Sequence, residues 1–188
     1  LVTVDNSKPY QAHPDSVLLK NGNILCMYPA GHGKGAVMTK ISTDGGLSWT
    51  QTLKNSPKSW ETSRETPTVY RLQFTDGKTT DKIVMISGNP KWPNEPTCGG
   101  FNYSLSSDEG ETWSEPVCIA KAADFGVKNV MSVSGLPLMD GRLCFFFMIK
   151  EDQKPPYTYS SIGRSVSSDG VHFEASRCKF HVGEGYYV

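Results

Sequence analysis

The chain has 188 residues and carries 19 basic and 19 acidic side chains, so its formal net charge is zero. A protein that follows nucleic-acid phosphates normally has a basic excess, so we expect no nucleic-acid partner. We find no apolar run long enough to cross a bilayer, and we expect no membrane partner.

The five cysteines are an odd number and include no Cys-x-x-Cys pair. This pattern predicts reduced thiols rather than a zinc site, and we expect no metal and no cofactor. Reduced thiols weakly favour the cytoplasm, although the localisation stays undetermined. The cysteines are Cys26, Cys98, Cys118, Cys144 and Cys178.

The first predicted unit contains four antiparallel strands, at residues 16–19, 24–28, 36–41 and about 49–53. Asn21 and Gly22 mark the hairpin between the first two strands, because Asn-Gly favours a two-residue hairpin turn. A glycine-rich loop that carries His32 precedes the third strand.

The second and third units repeat this plan. Their predicted strands are 68–72, 83–86, 101–105 and 116–119, and then 133–138, 143–149, 161–166 and a last strand near Phe173. No long window has helical periodicity. The chain begins without Met and ends at 186–188 in what looks like a further strand, so we expect a piece of a longer protein.

A short motif, Ser-x-Asp-x-Gly-x-(Ser/Thr)-Trp, recurs after the third strand of each unit. It occurs in turn A (residues 42–49) and turn B (residues 106–113), and a shorter version with Phe occurs in turn C (residues 167–173). Asp accepts N–H groups of its own turn, Gly permits a positive φ, and the indole anchors the turn to the sheet. We assign this structural role to Ser42, Asp44, Gly46, Trp49, Ser106, Asp108, Gly110, Trp113, Asp169 and Phe173.

The spacing of the motif indicates a repeated unit of about 60 residues. Asp44 and Asp108 are 64 residues apart (108 − 44), and Asp108 and Asp169 are 61 apart (169 − 108). A four-stranded meander of this size is typical of a propeller blade, so we predict an all-β β-propeller with about three blades. The predicted blades are 13–55, 64–120 and 130–178, and 179–188 begins another. A β-sandwich is the competing architecture.

A meander sorts its connections onto two edges of each sheet. The turns between strands one and two and between strands three and four lie at one edge, which we call the turn edge. The loops between strands two and three and the connections between units lie at the other, the loop edge. The loop edge collects aromatic side chains, Trp60 among them, together with cationic and acidic ones. Such a set suits a sugar site, although an ordinary polar loop surface is the alternative.

Turns A and B resemble the Asp-box repeats of the sialidase (neuraminidase) superfamily, and the segment 135–143 resembles a recurrent first-hairpin segment of that family. Members of that superfamily are usually six-bladed and often secreted, so the resemblance implies half of a ring. It also implies an arginine triad, an acid/base Asp, and a Tyr nucleophile assisted by Glu. The chain departs from this pattern at two places: Ala12 stands where the first arginine is expected, and residues 29–35 contain no carboxylate.

The resemblance predicts a glycoside hydrolase that removes terminal sugars, with sialic acid as the leading substrate. Within 63–67, Arg64 would clamp a carboxylate in a bidentate fork, and Glu65 would act as the acid/base or pair with Arg64. The alternatives are a non-catalytic sugar-binding propeller, an inactive fragment, or half-rings that self-associate. The catalytic candidates are Glu65, Asp15 and Glu184, and the substrate-binding candidates are Arg64, His13, His32, Trp92, Lys128 and Tyr157.

Overall fold

The computed structural model describes residues 1–7, 10–31, 35–61, 65–74, 77–78, 80–89, 100–126, 129–137, 143–150, 159–167 and 174–177. These residues form antiparallel sheets joined by turns, and they include two short 3₁₀ turns but no α-helix. The all-β prediction is therefore confirmed. Asp169 and Phe173 of turn C, and the segment 179–188 in which a further strand is predicted, lie outside the described residues.

The described strands form three meanders, in which neighbours in sequence are neighbours in the sheet. The first sheet contains β1 (Asp15–Leu18), β2 (Ile24–Pro29) and β3 (Val37–Ser42). The second contains β4 (Glu65–Leu72), β5 (Lys82–Asn89), β6 (Gly100–Ser106) and β7 (Val117–Ala120). The third contains β8 (Asn129–Pro137), β9 (Leu143–Lys150), β10 (Tyr159–Ser167) and β11 (Glu174–Arg177).

The predicted fourth strand of the first unit, at 49–53, is wrong as a strand. Only one isolated bridge, between Ile41 and Gln51, joins this segment to β3. Side chains take the place of the rest of the ladder: Thr39 Oγ1 lies 2.7 Å from Thr52 Oγ1 and accepts the N–H of Leu53 at 3.2 Å. The segment thus follows β3 without a regular backbone pairing.

The described core lies between the first two sheets. Directly paired residues point to the same face, and the pairs Val17–Leu25 and Val69–Met85 both contribute to it. Trp60 lies in a 3₁₀ turn (Lys58–Glu61) before β4 and is 1% exposed. Full burial of an apolar side chain such as Leu25 or Met27 stabilises the fold by roughly 1.5–3 kcal/mol. The shared core therefore holds the first sheet against the second.

Turn A is held by its own side chains. The Ser42 hydroxyl donates to Asp44 Oδ1 at 2.7 Å and accepts the Gly46 N–H at 2.8 Å. Asp44 accepts the Ser48 N–H at 2.8 Å and its hydroxyl at 2.6 Å. Trp49 Nε1 donates to the Gly46 carbonyl at 3.2 Å. The Ser48 hydroxyl bond is the main reason why the pKa of Asp44 falls to about 2.

Turn B has the same set of bonds, made by Ser106, Asp108, Gly110, Thr112 and Trp113. Thr112 lowers the pKa of Asp108, chiefly through its hydroxyl. Gly46 and Gly110 have φ of 93° and 89°, in the region that favours glycine. Two segments far apart in sequence therefore form one type of turn, each beginning at the last residue of a third strand.

One of the four sequence differences between turns A and B changes the contacts of the turn. Where turn A has Gly45 at φ 71°, turn B has Glu109 at φ 60°. Arg71 binds the Glu109 carboxylate through both guanidinium nitrogens, at 2.7 and 2.6 Å. The backbone N–H of Lys20 donates to the same carboxylate at 2.8 Å. These bonds join the hairpin after β1, the end of β4 and turn B, so the three segments share the turn edge.

Candidate functional site

The register of the sheets places two of the predicted site residues at the loop edge. Asp15 begins β1 and pairs with Met27 near the end of β2, and Glu65 begins β4 and pairs with Gly88 near the end of β5. β4 also contacts β1 and β2 of the first sheet and β8 of the third. The first strands of neighbouring sheets are thus adjacent.

Asp15 links two sheets. Its Oδ1 accepts the Ser16 N–H at 2.8 Å, and its Oδ2 accepts the Val69 N–H of β4 at 2.9 Å. Val69 lies four residues beyond Glu65, which is roughly 13 Å along an extended strand. Because both oxygens bind backbone N–H groups, this geometry gives Asp15 a structural position rather than one suited to acid–base chemistry.

His13 lies just before β1 and is exposed, with a φ of 46°. Glu65 is placed by its backbone as the first residue of β4. The other site predictions fall on residues that the structure does not describe, and they remain predictions. These residues are Arg64, His32, Trp92, Lys128, Tyr157 and Glu184.

Trp60, which sequence reasoning placed among the aromatic residues of the loop edge, lies in the core instead. Its Nε1 donates to the Ser104 hydroxyl at 3.1 Å, and its ring centroid lies 5.2 Å from that of Trp113. With 1% of its surface exposed, it has no face on which a sugar ring can stack. The prediction for this residue was wrong because Trp113 of turn B, which packs against Trp60, is far from it in sequence.

A small cavity of about 150 Å³ lies beside the first sheet, where β1 begins and β2 ends. Tyr28 donates its hydroxyl proton to Asp5 Oδ2 at 2.6 Å, and the Ser7 N–H donates to Asp5 Oδ1 at 2.8 Å. The Tyr28 bond is the main reason why the pKa of Asp5 falls to about 2, and burial raises the pKa of Tyr28. The lining residues are Val4, Asp5, Gln11, Ala12, Pro14 and Tyr28.

Sequence reasoning missed this cavity because Asp5 belongs to no motif and precedes the first strand. One signal was available: Tyr28 lies in an apolar run, and a buried Tyr hydroxyl needs a hydrogen-bond partner. The sequence does not say which of the nearby polar residues supplies that partner.

A wider and more open cavity of about 450 Å³ lies at the turn edge, lined by Val17, Leu18, Leu19, Lys20, Arg71 and Gln73. Its Arg71 guanidinium already binds Glu109 and the Leu18 carbonyl. The Lys20 ammonium lies 3.3 Å from Asp81 and 3.9 Å from Glu109. Since both cations have acidic partners, the size of this cavity does not make it the better site.

Within the described ranges, no group of three or more His, Cys, Asp or Glu residues is arranged to hold a metal ion. In the part of the chain that the structure describes, no helix is long and apolar enough to cross a bilayer.

No family model matches the chain, and neither does any curated protein sequence. Solved structures do match. An α-L-arabinanase of Penicillium chrysogenum, solved with arabinobiose, superposes with a TM-score of 0.61 at 16% identity, over 94% of this chain and 51% of the other. A sialidase described as Hadza microbial gives 0.50 at 18% identity, over 88% and 37%.

The polysaccharide lyase Uly1 gives a TM-score of 0.56 at 14% identity, over 88% of this chain and 40% of the other. These proteins are β-propellers of different chemistry, so the likeness shows the fold alone. The chain spans about half the length, or less, of the structures it matches.

Proposed function

We propose that this chain forms about three blades, half of a six-bladed ring, in a β-propeller that acts on glycans. Its loop edge would bind the terminal sugars. The observation that carries the proposal is the difference between the two edges. At the turn edge, Asp44, Asp108, Glu109 and Arg71 bind one another or their own turns. At the loop edge lie the start of β4 and the cavity beside Tyr28.

The finer proposal is a glycoside hydrolase that removes terminal sugars, with sialic acid among the candidate substrates. Arg64 would hold a carboxylate, and Glu65 would act as acid or base at the start of β4. Glu184 would assist a nucleophile, while His13, His32, Trp92, Lys128 and Tyr157 would line the sugar. The arabinanase and the lyase give neutral and other polysaccharides equal standing as substrates.

A non-catalytic sugar-binding propeller is the second candidate. It is favoured by Asp15, whose two carboxylate oxygens bind backbone N–H groups. If Asp15 has a structural role, Glu65 is the one remaining catalytic candidate among the residues that the structure describes, because Glu184 lies outside them.

Hydrolysis of aryl glycosides separates the two candidates. The chain would be incubated with fluorogenic α-sialoside and α-L-arabinofuranoside, each with wild type, Glu65→Gln and the control Glu61→Gln. Glu61 is exposed and lies four residues earlier. An enzyme that uses Glu65 loses at least a hundredfold in rate with Glu65→Gln and none with Glu61→Gln.

Sugar binding without turnover would support the binding protein instead. If the wild type neither hydrolyses nor binds any sugar of either class, the proposal of a glycan-active chain is wrong for these 188 residues.

Self-association is a separate proposal, in which two copies close one ring of six blades. Light scattering measures it directly. A solution mass of twice 20.7 kDa supports the closed pair, and a monomer at micromolar concentration contradicts it.

A further inference from the structure

The cavity beside Tyr28 is built by a segment that the repeated units do not include. Asp5 contacts the first sheet at Tyr28, whose side chain alternates with that of the core residue Met27 and so lies on the face turned away from the second sheet. Ala12 and Tyr28 are 4% and 2% exposed there. The lining residues Pro14 and Tyr28 place the cavity beside the start of β1 and the end of β2, at the loop edge, where the proposed function places the sugar.

The polar atoms of the cavity come mainly from one carboxylate. Asp5 is half-buried and accepts two hydrogen bonds, from the Tyr28 hydroxyl and the Ser7 N–H. The Ser7 side chain also hydrogen-bonds this carboxylate, so one of its about four acceptor positions remains for a ligand. A free acceptor position on an ionised carboxylate suits a sugar hydroxyl, which donates one hydrogen bond.

The charge of the cavity decides between classes of sugar. Asp5 stays ionised at neutral pH, because its pKa lies near 2, chiefly through the Tyr28 hydrogen bond. Among the described residues, Lys40 is the cation whose charge lowers the pKa of Asp5, and its influence is the weakest of the causes that lower it. A ligand carboxylate placed here would meet a like charge, whereas hydroxyl groups would meet an acceptor.

The remaining lining suits a ligand of small size. Val4, Ala12 and Pro14 give apolar walls, and the Gln11 amide adds donor and acceptor capacity. About 150 Å³ is well below the roughly 300–1,000 Å³ of pockets for drug-sized ligands. The cavity thus has room for one end of a sugar residue rather than for an oligosaccharide.

We propose that the cavity bounded by Asp5, Ala12 and Tyr28 is a subsite for an uncharged sugar residue, one hydroxyl of which donates to Asp5, and that it rejects sugars carrying a carboxylate. This inference rests on the proposed function and narrows it towards neutral glycans such as arabinan.

Calorimetric titration tests it with two probes, arabinobiose and sialyllactose, on the wild type and three variants. Asp5→Ala removes the acceptors, Asp5→Asn removes the charge and keeps one acceptor, and Glu111→Gln is the matched control at an exposed position in turn B. Amide spectra recorded beforehand verify that each variant is folded.

The expected result is that arabinobiose binds the wild type more tightly than sialyllactose does. Asp5→Ala raises the dissociation constant of arabinobiose at least tenfold. Asp5→Asn lowers the ratio of the sialyllactose to the arabinobiose dissociation constant by about tenfold, which corresponds to 1.4 kcal/mol. Glu111→Gln changes neither the arabinobiose affinity nor the preference for arabinobiose over sialyllactose. If Asp5→Ala does not fold, the ratio measured with Asp5→Asn decides.

Two results overturn the subsite and leave the proposed function standing. One is arabinobiose binding that is the same in wild type, Asp5→Ala and Asp5→Asn. The other is tighter binding of sialyllactose than of arabinobiose. If neither sugar binds the wild type, the proposed function fails and the subsite fails with it.

Discussion

The ion pair between Glu109 and Arg71 gives the most quantitative prediction of this structure. Arg71 donates two hydrogen bonds to the carboxylate, at 2.7 and 2.6 Å, and is 15% exposed. Glu109 is 28% exposed and also accepts the Lys20 N–H. Its φ of 60° costs a non-glycine residue roughly 1–2 kcal/mol, which these bonds must offset.

The pKa of Glu109 gives the size of the ion pair's contribution to the free energy of unfolding. It falls from 4.5 to about 2, first because of the Arg71 hydrogen bonds. At 1.36 kcal/mol per pKa unit, this difference corresponds to roughly 3.4 kcal/mol. Solvent screens a partly exposed pair, so we expect Glu109→Gln to lower the free energy of unfolding at pH 7 by about 2 kcal/mol.

The pH dependence follows from the sign of this change. A carboxylate with a lowered folded-state pKa stabilises the fold fully above its unfolded pKa, near 4.5, and the stabilisation disappears as the pH falls through about 2. The wild type should therefore lose its advantage over Glu109→Gln between pH 5 and pH 2. Other carboxylates act equally in both proteins and cancel in the difference.

Urea unfolding followed by tryptophan fluorescence measures the difference at each pH. Glu111→Gln, two residues away and exposed, is the control and should stay within 0.5 kcal/mol of wild type, as roughly expected for surface changes. A double-mutant cycle with Arg71→Met should return a coupling of about 1–2 kcal/mol. A Glu109→Gln difference that is below about 0.5 kcal/mol, or constant from pH 7 to pH 2, would refute the reasoning.

Three further predictions concern hydrogen bonds of single side chains. Ser42→Ala should lower the free energy of unfolding in urea by about 1–3 kcal/mol, because Ser42 is 0% exposed and accepts the Gly46 N–H within turn A. Thr43→Ala, in the same turn, is the control and should leave the free energy of unfolding nearly unchanged. Trp60→Phe should lower the free energy of unfolding by about 2 kcal/mol, because the buried hydrogen bond from the indole to Ser104 is lost. The same change should remove the circular-dichroism signal of the Trp60–Trp113 pair, and an unchanged signal would contradict their packing. Asp15→Ala should speed hydrogen exchange at the Val69 amide, and a protected amide would mean that the inter-sheet bond is absent.

The sequence predicts turns A and B well because their bonds are local. Ser42, Asp44, Gly46 and Ser48 bind one another across two to four residues, so the motif alone contains every partner. The strands are predictable for a similar reason, since the apolar run of β5 from Ile83 to Ile86 is visible in the sequence, and all four of its residues are buried.

Contacts between distant segments are what the sequence does not predict. Asp15 meets Val69 across 54 residues, and Tyr28 meets Asp5 across 23. Asp15 therefore looks like a catalytic carboxylate until the neighbouring strand is in place. Trp60 fails for the same reason, because its partner Trp113 belongs to another repeat.

The central claim, that sugars bind at the loop edge and that the turns have a structural role, is tested most directly by mapping arabinobiose on the ¹⁵N-labelled chain by amide chemical shifts. The account predicts that the shifts concentrate around Asp5, Tyr28 and the first residues of β1 and β4, with turns A and B unmoved. Shifts concentrated in residues 42–49 and 106–113 would contradict it.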